Sequence, residues 1–227
     1  MNIHKKLQIF AVVTALSLGL AQNTLAQATD SSTMDNSGDS SSRISKGGFF
    51  IEPMISMVRD ESSIKTSQLP IITDDTSGTS EGYGLGLKLG GHVSEIVLLG
   101  VDGRYTKQRM KDSFYNSADT DAYNWGPTIG IQTPLYGIRL LGTYIVGGES
   151  NPAAGVQGLD LKFKEARGTR VGLGVHVAAV GISLEYQDLT YNTTDVESIG
   201  SIITDQPTKV DTNTRGYGLN ISFPVEL

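Results

Sequence analysis

Acid–base or nucleophilic chemistry in this chain would have to be built around a histidine, a hydroxyl and an acid held close together. His92-Val93-Ser94-Glu95 is the one local cluster with all three. A hydrolytic site needs the base within hydrogen-bond reach of the nucleophile and a third group to orient it. Here the histidine ends one extended segment and the glutamate opens the next, while Ser94 and Glu95 are ordinary turn residues. His176, Ser183 and Glu185 could meet across a second tight turn, but a lone histidine in hydrogen-bonded surroundings is the commoner outcome. Gly84, Gly86, Gly90 and Gly91 precede no helix, and the lysine spacing around them is wrong for a phosphate loop. Asp60, Glu61, Asp74, Asp75, Asp112, Asp119, Asp121, Glu149, Asp160, Asp195, Glu197 and Asp205 gather in polar stretches. Carboxylates suit calcium or magnesium, yet these show no EF-hand spacing, and a solvated charged surface accounts for them better. The expectation is no catalytic residue, no cofactor and no metal site.

The elements that must position these residues begin after a leader. Lys5 and Lys6 precede an apolar stretch from Leu7 to Leu20, followed by two small-residue cleavage sites, Thr24-Leu25-Ala26 and Ala26-Gln27-Ala28. That order marks residues 1–28 as a secretory signal peptide; the apolar run falls short of the ~20 residues of a spanning helix. The chain has no cysteine, which excludes a lipoprotein anchor, a disulfide framework and a thiolate metal site. Removing residues 1–28 takes two lysines and no acid, so the formal charge moves from −6 to −8. Such a surface argues against nucleic acid as a partner. Residues 29–46, rich in Ser, Asp, Asn and Thr, offer almost nothing to bury and read as a disordered periplasmic tail.

From Gly47 the pattern has period two, the mark of strands with unlike faces. Tyr83, Leu85, Leu87 and Leu89 oppose Gly84, Gly86 and Lys88; Val97, Leu99, Val101 and Tyr105 oppose Asp102 and Arg104. Similar segments run from Tyr123 to Gln132, Ile138 to Val146, Arg170 to Val177, Val180 to Gln187 and Gly216 to Val225, with a less regular first strand over residues 48–58. That makes eight strands. Short connections at His92–Glu95, Thr133–Gly137 and Ala178–Ala179 alternate with long polar ones, roughly 59–81, 107–121, 147–166 and 190–213. An even number of antiparallel strands with short turns at one end and long loops at the other is the plan of an outer-membrane barrel. The aromatics agree. With both termini periplasmic, Tyr83, Tyr105, Tyr123, Trp125, Tyr144, Tyr186 and Tyr217 all fall at the outer end of their strands, as a girdle at headgroup level. Phe49 and Phe223 fall at the other end.

In topology and pattern, residues 47–227 resemble the small eight-stranded outer-membrane β-barrels, the group of the OmpA transmembrane domain and OmpX. The resemblance implies an all-β, eight-stranded antiparallel up-and-down transmembrane barrel, integral to the outer membrane of a Gram-negative envelope. It also implies a C-terminal assembly signal, here Tyr217, Leu219, Ile221, Phe223, Val225 and Leu227, read by the outer-membrane assembly machinery. The usual last residue is Phe; this chain ends in Leu227, with Pro224 close before it.

In lipid a sheet can span only by closing, so its apolar face turns outward. Eight strands leave a lumen only wide enough for side chains. The inward charges are then Glu52, Lys88, Asp102, Arg104, Arg139, Arg170 and Glu185. Charges taken out of bulk water need partners, so a salt-bridged, plugged interior is expected, with glycines relieving crowding. The functional expectation is a non-enzymatic barrel that contributes to envelope integrity or presents extracellular loops. Its partners are outer-membrane lipid and lipopolysaccharide, reached through divalent cations if the loop carboxylates bind any. Three alternatives stay open: a lipid-A-modifying barrel enzyme, a narrow small-solute pore, and a soluble barrel whose apolar face lines a ligand cavity.

Overall fold

The computed structural model of the chain describes residues 48–65, 75–94, 96–111, 117–133, 137–153, 160–177, 179–199, 202–208 and 211–227. The signal peptide at 1–28 and the tail at 29–46 lie outside the described residues.

The described strands are β1 (Phe49–Ile64), β2 (Thr76–His92), β3 (Val97–Lys111), β4 (Ala118–Gln132), β5 (Ile138–Ile145), β6 (Gly147–Pro152), β7 (Asp160–Val177), β8 (Val180–Ile199), β9 (Ile202–Thr208), β10 (Thr212–Ser222) and β11 (Val225–Glu226). They form eight staves. β5 and β6 are one stave, interrupted at Val146; both pair β4 on one side and β7 on the other. β9, β10 and β11 are successive parts of the last stave. β9 and β10 pair β8, and β10 and β11 pair β1. Every pairing is antiparallel, and first-to-last pairing closes the sheet: Met54–Ile64 lie against Thr212–Ser222. Closure leaves no free edge at this level, which is how a barrel avoids pairing with other chains.

The short turns fall where the sequence puts them, and two of them have a local cause in the structure. Between β2 and β3, the Ser94 hydroxyl accepts the backbone N–H of Ile96 (3.3 Å) and Val97 (3.1 Å). Between β4 and β5, the Thr133 and Gly137 backbones are joined at 3.1 Å. Gly137 there has φ +60°, and a Cβ would stand 2.0 Å from the His176 carbonyl oxygen, so only glycine fits.

The alternation sorts the faces as a membrane barrel requires. Leu99, Val101, Ile129, Ile131, Leu140, Leu173, Leu184 and Leu219 all point outward and are exposed, whereas Lys88, Asp102, Arg104, Arg170 and Glu185 are buried inside. This is the reverse of a soluble ligand-binding barrel, whose apolar side chains line the cavity.

One expectation needs correction. The stretches 59–81, 107–121, 147–166 and 190–213 are mostly strand, not loop: β1 runs to Ile64, β3 to Lys111, β7 starts at Asp160 and β8 reaches Ile199. The staves continue past the tyrosines with polar residues outside and apolar residues inside; β3 keeps its phase, whereas on β7 the inward positions shift by one residue across Glu165 (φ +57°). Lys107, Arg109 and Lys111 face out while Met110 is buried; Lys162 and Lys164 face out while Leu161 and Phe163 are buried.

Candidate functional site

The lumen is filled in four layers. At the turn end Phe50, Leu98 and Leu141 form a buried apolar cluster. The Phe50 ring lies 5.6 Å from that of His92, whose Nε2 is 3.9 Å from Glu226 Oε1. His92 is thus part of the lower closure and is separate from Ser94, which serves the turn; Glu95 lies outside the described residues. In the second histidine cluster, Ser183 and Glu185 have partners of their own. Asn220 Nδ2 donates to Ser183 Oγ (3.3 Å), and Glu185 is held by two arginines.

Above this layer the seven charged residues picked out by alternation are all buried and form one connected network. Arg139 reaches Glu52 at 2.7 Å, and Lys88 lies 3.9 Å from both Glu52 and Asp102. Arg104 grips Asp102 with two parallel bonds of 2.9 Å, the bidentate geometry that makes arginine–carboxylate pairs strong and directional. Its Nη1 also reaches Glu185 at 2.6 Å. Arg170 lies 3.3 Å from Asp102 and 3.8 Å from Glu185, and it donates to Asn124 at 2.6 Å. Two of these links cross the tube. β1 and β5 stand four staves apart, as do β3 and β8, so Glu52–Arg139 and Arg104–Glu185 join opposite walls. Glycines make the room: a Cβ on Gly172 would meet Glu185 Cγ at 2.6 Å, and one on Gly86 would come within 3.2 Å of Arg104 Cγ.

The third layer contains a residue that sequence reasoning assigned to a loop. Asp60 is buried, and its two oxygens accept from Gln108 Nε2 and Gln187 Nε2, each at 2.8 Å. With it the buried charges become four carboxylates (Glu52, Asp60, Asp102, Glu185) facing four cations (Lys88, Arg104, Arg139, Arg170). The signal was present in the sequence: period two from Glu52 through Ser56 puts Asp60 on the same face. A small cavity of about 40 Å³ lies here, lined by Asp60, Arg104, Gln108, Asn124, Arg170 and Gln187 among others, roughly the room of a single water molecule.

The fourth layer seals the far end. Ile64, Met110, Ala118, Ile145, Leu161, Phe163, Ala166, Leu189, Tyr191 and Val196 make one buried apolar cluster, with the Phe163 and Tyr191 rings 6.0 Å apart.

On the outside, Tyr83, Tyr105, Tyr123, Trp125, Tyr144, Tyr186 and Tyr217 face away from the lumen, between the apolar belt below and charged residues above. Tyr105 and Tyr123 are register partners, as are Tyr186 and Tyr217, whose rings lie 5.2 Å apart. The Tyr105 hydroxyl donates to Asp121 (2.6 Å). Tyr217, Leu219, Ile221 and Phe223 lie on the outer face of the closing stave, and the backbone N–H of Leu227 donates to Phe49 O at 2.8 Å. Among the described residues no cluster of three or more His, Asp or Glu side chains could hold a metal.

The geometry defines a closed, eight-stave, up-and-down β-barrel with a filled interior. No protein-family model matches the chain, and no curated protein matches it in sequence. Among solved structures it is similar to Neisserial surface protein A (13% identity, 78% of this chain and 98% of that one, TM-score 0.40). It is also similar to the outer membrane protein OprG from Pseudomonas aeruginosa (12%, 80% and 98%, TM-score 0.49) and to Ail, the attachment invasion locus protein of Yersinia pestis (14%, 76% and 98%, TM-score 0.38). Likenesses of this size carry nothing about what the chain does.

Proposed function

We propose that this chain is an integral outer-membrane barrel without enzymatic activity, sealed to solutes, which strengthens the envelope and presents its far end to the outside. The apolar belt supports the membrane setting. About ten residues separate Val97 from Lys107 on the outer face of β3, which at ~3.3 Å per residue and ~40° of tilt gives roughly 25 Å, the height of a barrel's lipid-facing band. The observation that carries the sealed lumen is the pair of ion bridges joining opposite walls, Glu52–Arg139 and Arg104–Glu185, closed above and below by apolar clusters. Charges so deeply desolvated are held by one another, and among the described residues they fill the lumen between the two apolar clusters. In this setting the seven aromatics act as the outer girdle and the alternating C-terminal stave as the assembly signal.

Two measurements test the proposal. Boiled and unboiled samples of the outer-membrane fraction are expected to migrate differently on a gel, since an embedded barrel resists detergent until heated. Purified protein in a planar bilayer is expected to give no sustained ion current. Release with soluble periplasm would overturn the membrane assignment, and a steady conductance would overturn the seal.

A further inference from the structure

Directly above the girdle, the outer wall carries a column of like charge. β3 presents Lys107, Arg109 and Lys111 at successive outward positions over Tyr105. Arg59 on β1 stands two staves away at the same height, since Glu81 is the register partner of both Arg59 and Arg109. Elsewhere around the collar, Lys162 lies on Glu149 at 2.9 Å, Arg215 on Asp188 at 3.0 Å, and Lys164 on Asp195, while Lys65 stands 3.8 Å from Asp211. The acids beside β3 hold their partners less closely than the first three of these pairs. Asp121 lies 4.0 Å from Lys107 and already accepts the Tyr105 hydroxyl; Asp119 lies 3.3 Å from Arg109, and Glu81 3.5 Å from Arg59. Lys111 has no carboxylate within ion-pair distance among the described residues. Exposed pairs of this kind hold their members weakly.

These four cations and the carboxylates of Glu81, Asp119 and Asp121 border a groove of about 940 Å³ whose lower part is Met57, Tyr83, Tyr217 and Leu219. Met57, Tyr83 and Tyr217 are among the most exposed apolar side chains of the barrel. In register Met57 lies between Tyr83 and Leu219, and Arg59 between Glu81 and Tyr217, so apolar surface runs up from the belt and meets the positive column. A ligand that fits must have an apolar part continuous with the membrane and an anionic head just above the headgroup boundary.

We propose that this groove on β10, β1, β2 and β3 binds a phosphorylated lipid of the outer leaflet, with Lys107, Arg109, Lys111 and Arg59 on its phosphates and Met57, Tyr83, Tyr217 and Leu219 on its chains. The assignment rests on the membrane reading above. Long cationic side chains reach from the wall to the headgroup plane while their stems stay on apolar surface, and each cation near an anionic surface strengthens attraction about fivefold. On a chain of net charge −6, a groove lined by four cations and three weakly held acids is a local excess of positive charge, and it favours an anionic head held at one place.

The test uses the full-length mature protein in detergent, with diphosphoryl and dephosphorylated lipid A as probes and native mass spectrometry as readout. Wild type is expected to retain the diphosphoryl lipid, and K107Q/R109Q/K111Q to lose about a hundredfold in apparent affinity, three cations at about a tenfold-per-1.4 kcal/mol conversion. K162Q, on β7 at the opposite side of the same collar, is expected to bind like wild type. All proteins are first checked for the heat-dependent gel shift. Equal retention by the triple variant, equal binding of the dephosphorylated lipid, or displacement by millimolar inorganic phosphate would each overturn the site. Those results with the gel shift intact leave the membrane barrel standing; absence of the shift in wild type removes both readings.

Discussion

The lower and upper halves of the same tube are built on opposite rules. At belt height Val101 and Leu173 face out, and Asp102 and Arg170 are buried; above the tyrosines Lys107 and Lys164 face out, and Met110 and Phe163 are buried. On β2 and β3 the backbone pairing does not change between the halves and runs without a break from His92–Leu98 to Thr79–Lys111; on β5, β6 and β7 it is interrupted at Val146 and Glu165. What changes is the medium that the outer face meets. In the proposed setting the lower wall borders lipid, where apolar side chains gain little by turning inward because lipid is as apolar as they are. The upper wall borders water, where burying Ile64, Leu161 and Phe163 is the ordinary driving force for a core. One half therefore depends on polar complementarity inside and the other on hydrophobic packing.

The sharpest way to break the lower half is at its hub. Asp102 accepts from Arg104 twice and from Arg170 once, and also faces Lys88. Asp102→Asn leaves three buried cations short of a counter-charge, and removing one member of a buried pair costs about 3–5 kcal/mol. The expected result is a marked drop in the urea midpoint for unfolding from lipid vesicles and in the temperature of the gel shift. If Asp102→Asn unfolds at the wild-type midpoint, the network does not hold the lower barrel.

The upper half should respond to a different lesion. Phe163 is buried against Tyr191 in the apolar seal, and truncating a core Phe to Ala costs roughly 3 kcal/mol or more. Because the two halves are held by different interactions, Phe163→Ala is expected to expose β6, β7 and β8 beyond the tyrosines to protease while leaving the gel shift of the belt in place. Loss of both together would mean that the tube unfolds as one unit and that the contrast has no energetic counterpart.

Much of the lower half was legible from alternation, because a wall with lipid on one side and a lumen only a side chain wide on the other leaves each residue one acceptable face. That is why Glu52, Lys88, Asp102, Arg104, Arg139, Arg170 and Glu185 could be grouped before their distances were known. The upper half was hidden by the same logic. Once water replaces lipid, an outward Lys or Glu reads as loop, and a stretch such as Asp160-Leu161-Lys162-Phe163-Lys164 keeps period two but exchanges its faces. Asp60 fell into this blind spot: flanked by Arg59 and Glu61, it looks like a solvated acid, although its parity with Glu52 and Ser56 places it inside. The pairings across the lumen, such as Arg139 with Glu52, depend on which staves stand opposite and on side-chain reach, and alternation carries neither.

The smallest expected effect gives the most direct comparison of the two media. An arginine placed on the outer face should cost energy where lipid touches the wall and almost nothing where water does. Val101 is exposed near the middle of the belt on β3, and Ser63 is exposed above the tyrosines on β1, opposite Asn213 and Ser77. At the bilayer midplane an outward arginine costs roughly 2–4 kcal/mol and the cost fades toward the interface, whereas a surface change in water is usually worth within about 0.5 kcal/mol. Val101→Arg is therefore expected to lower the urea midpoint in lipid vesicles, and Ser63→Arg to leave it unchanged. Equal effects at both positions would place the boundary between the media somewhere other than the tyrosines. In that case the exchange of faces along β3 and β7 would have to be explained by packing inside the tube alone. The Lys107–Lys111 column would also no longer sit at a headgroup plane, so this one pair of variants tests the level on which both the girdle and the lipid site depend.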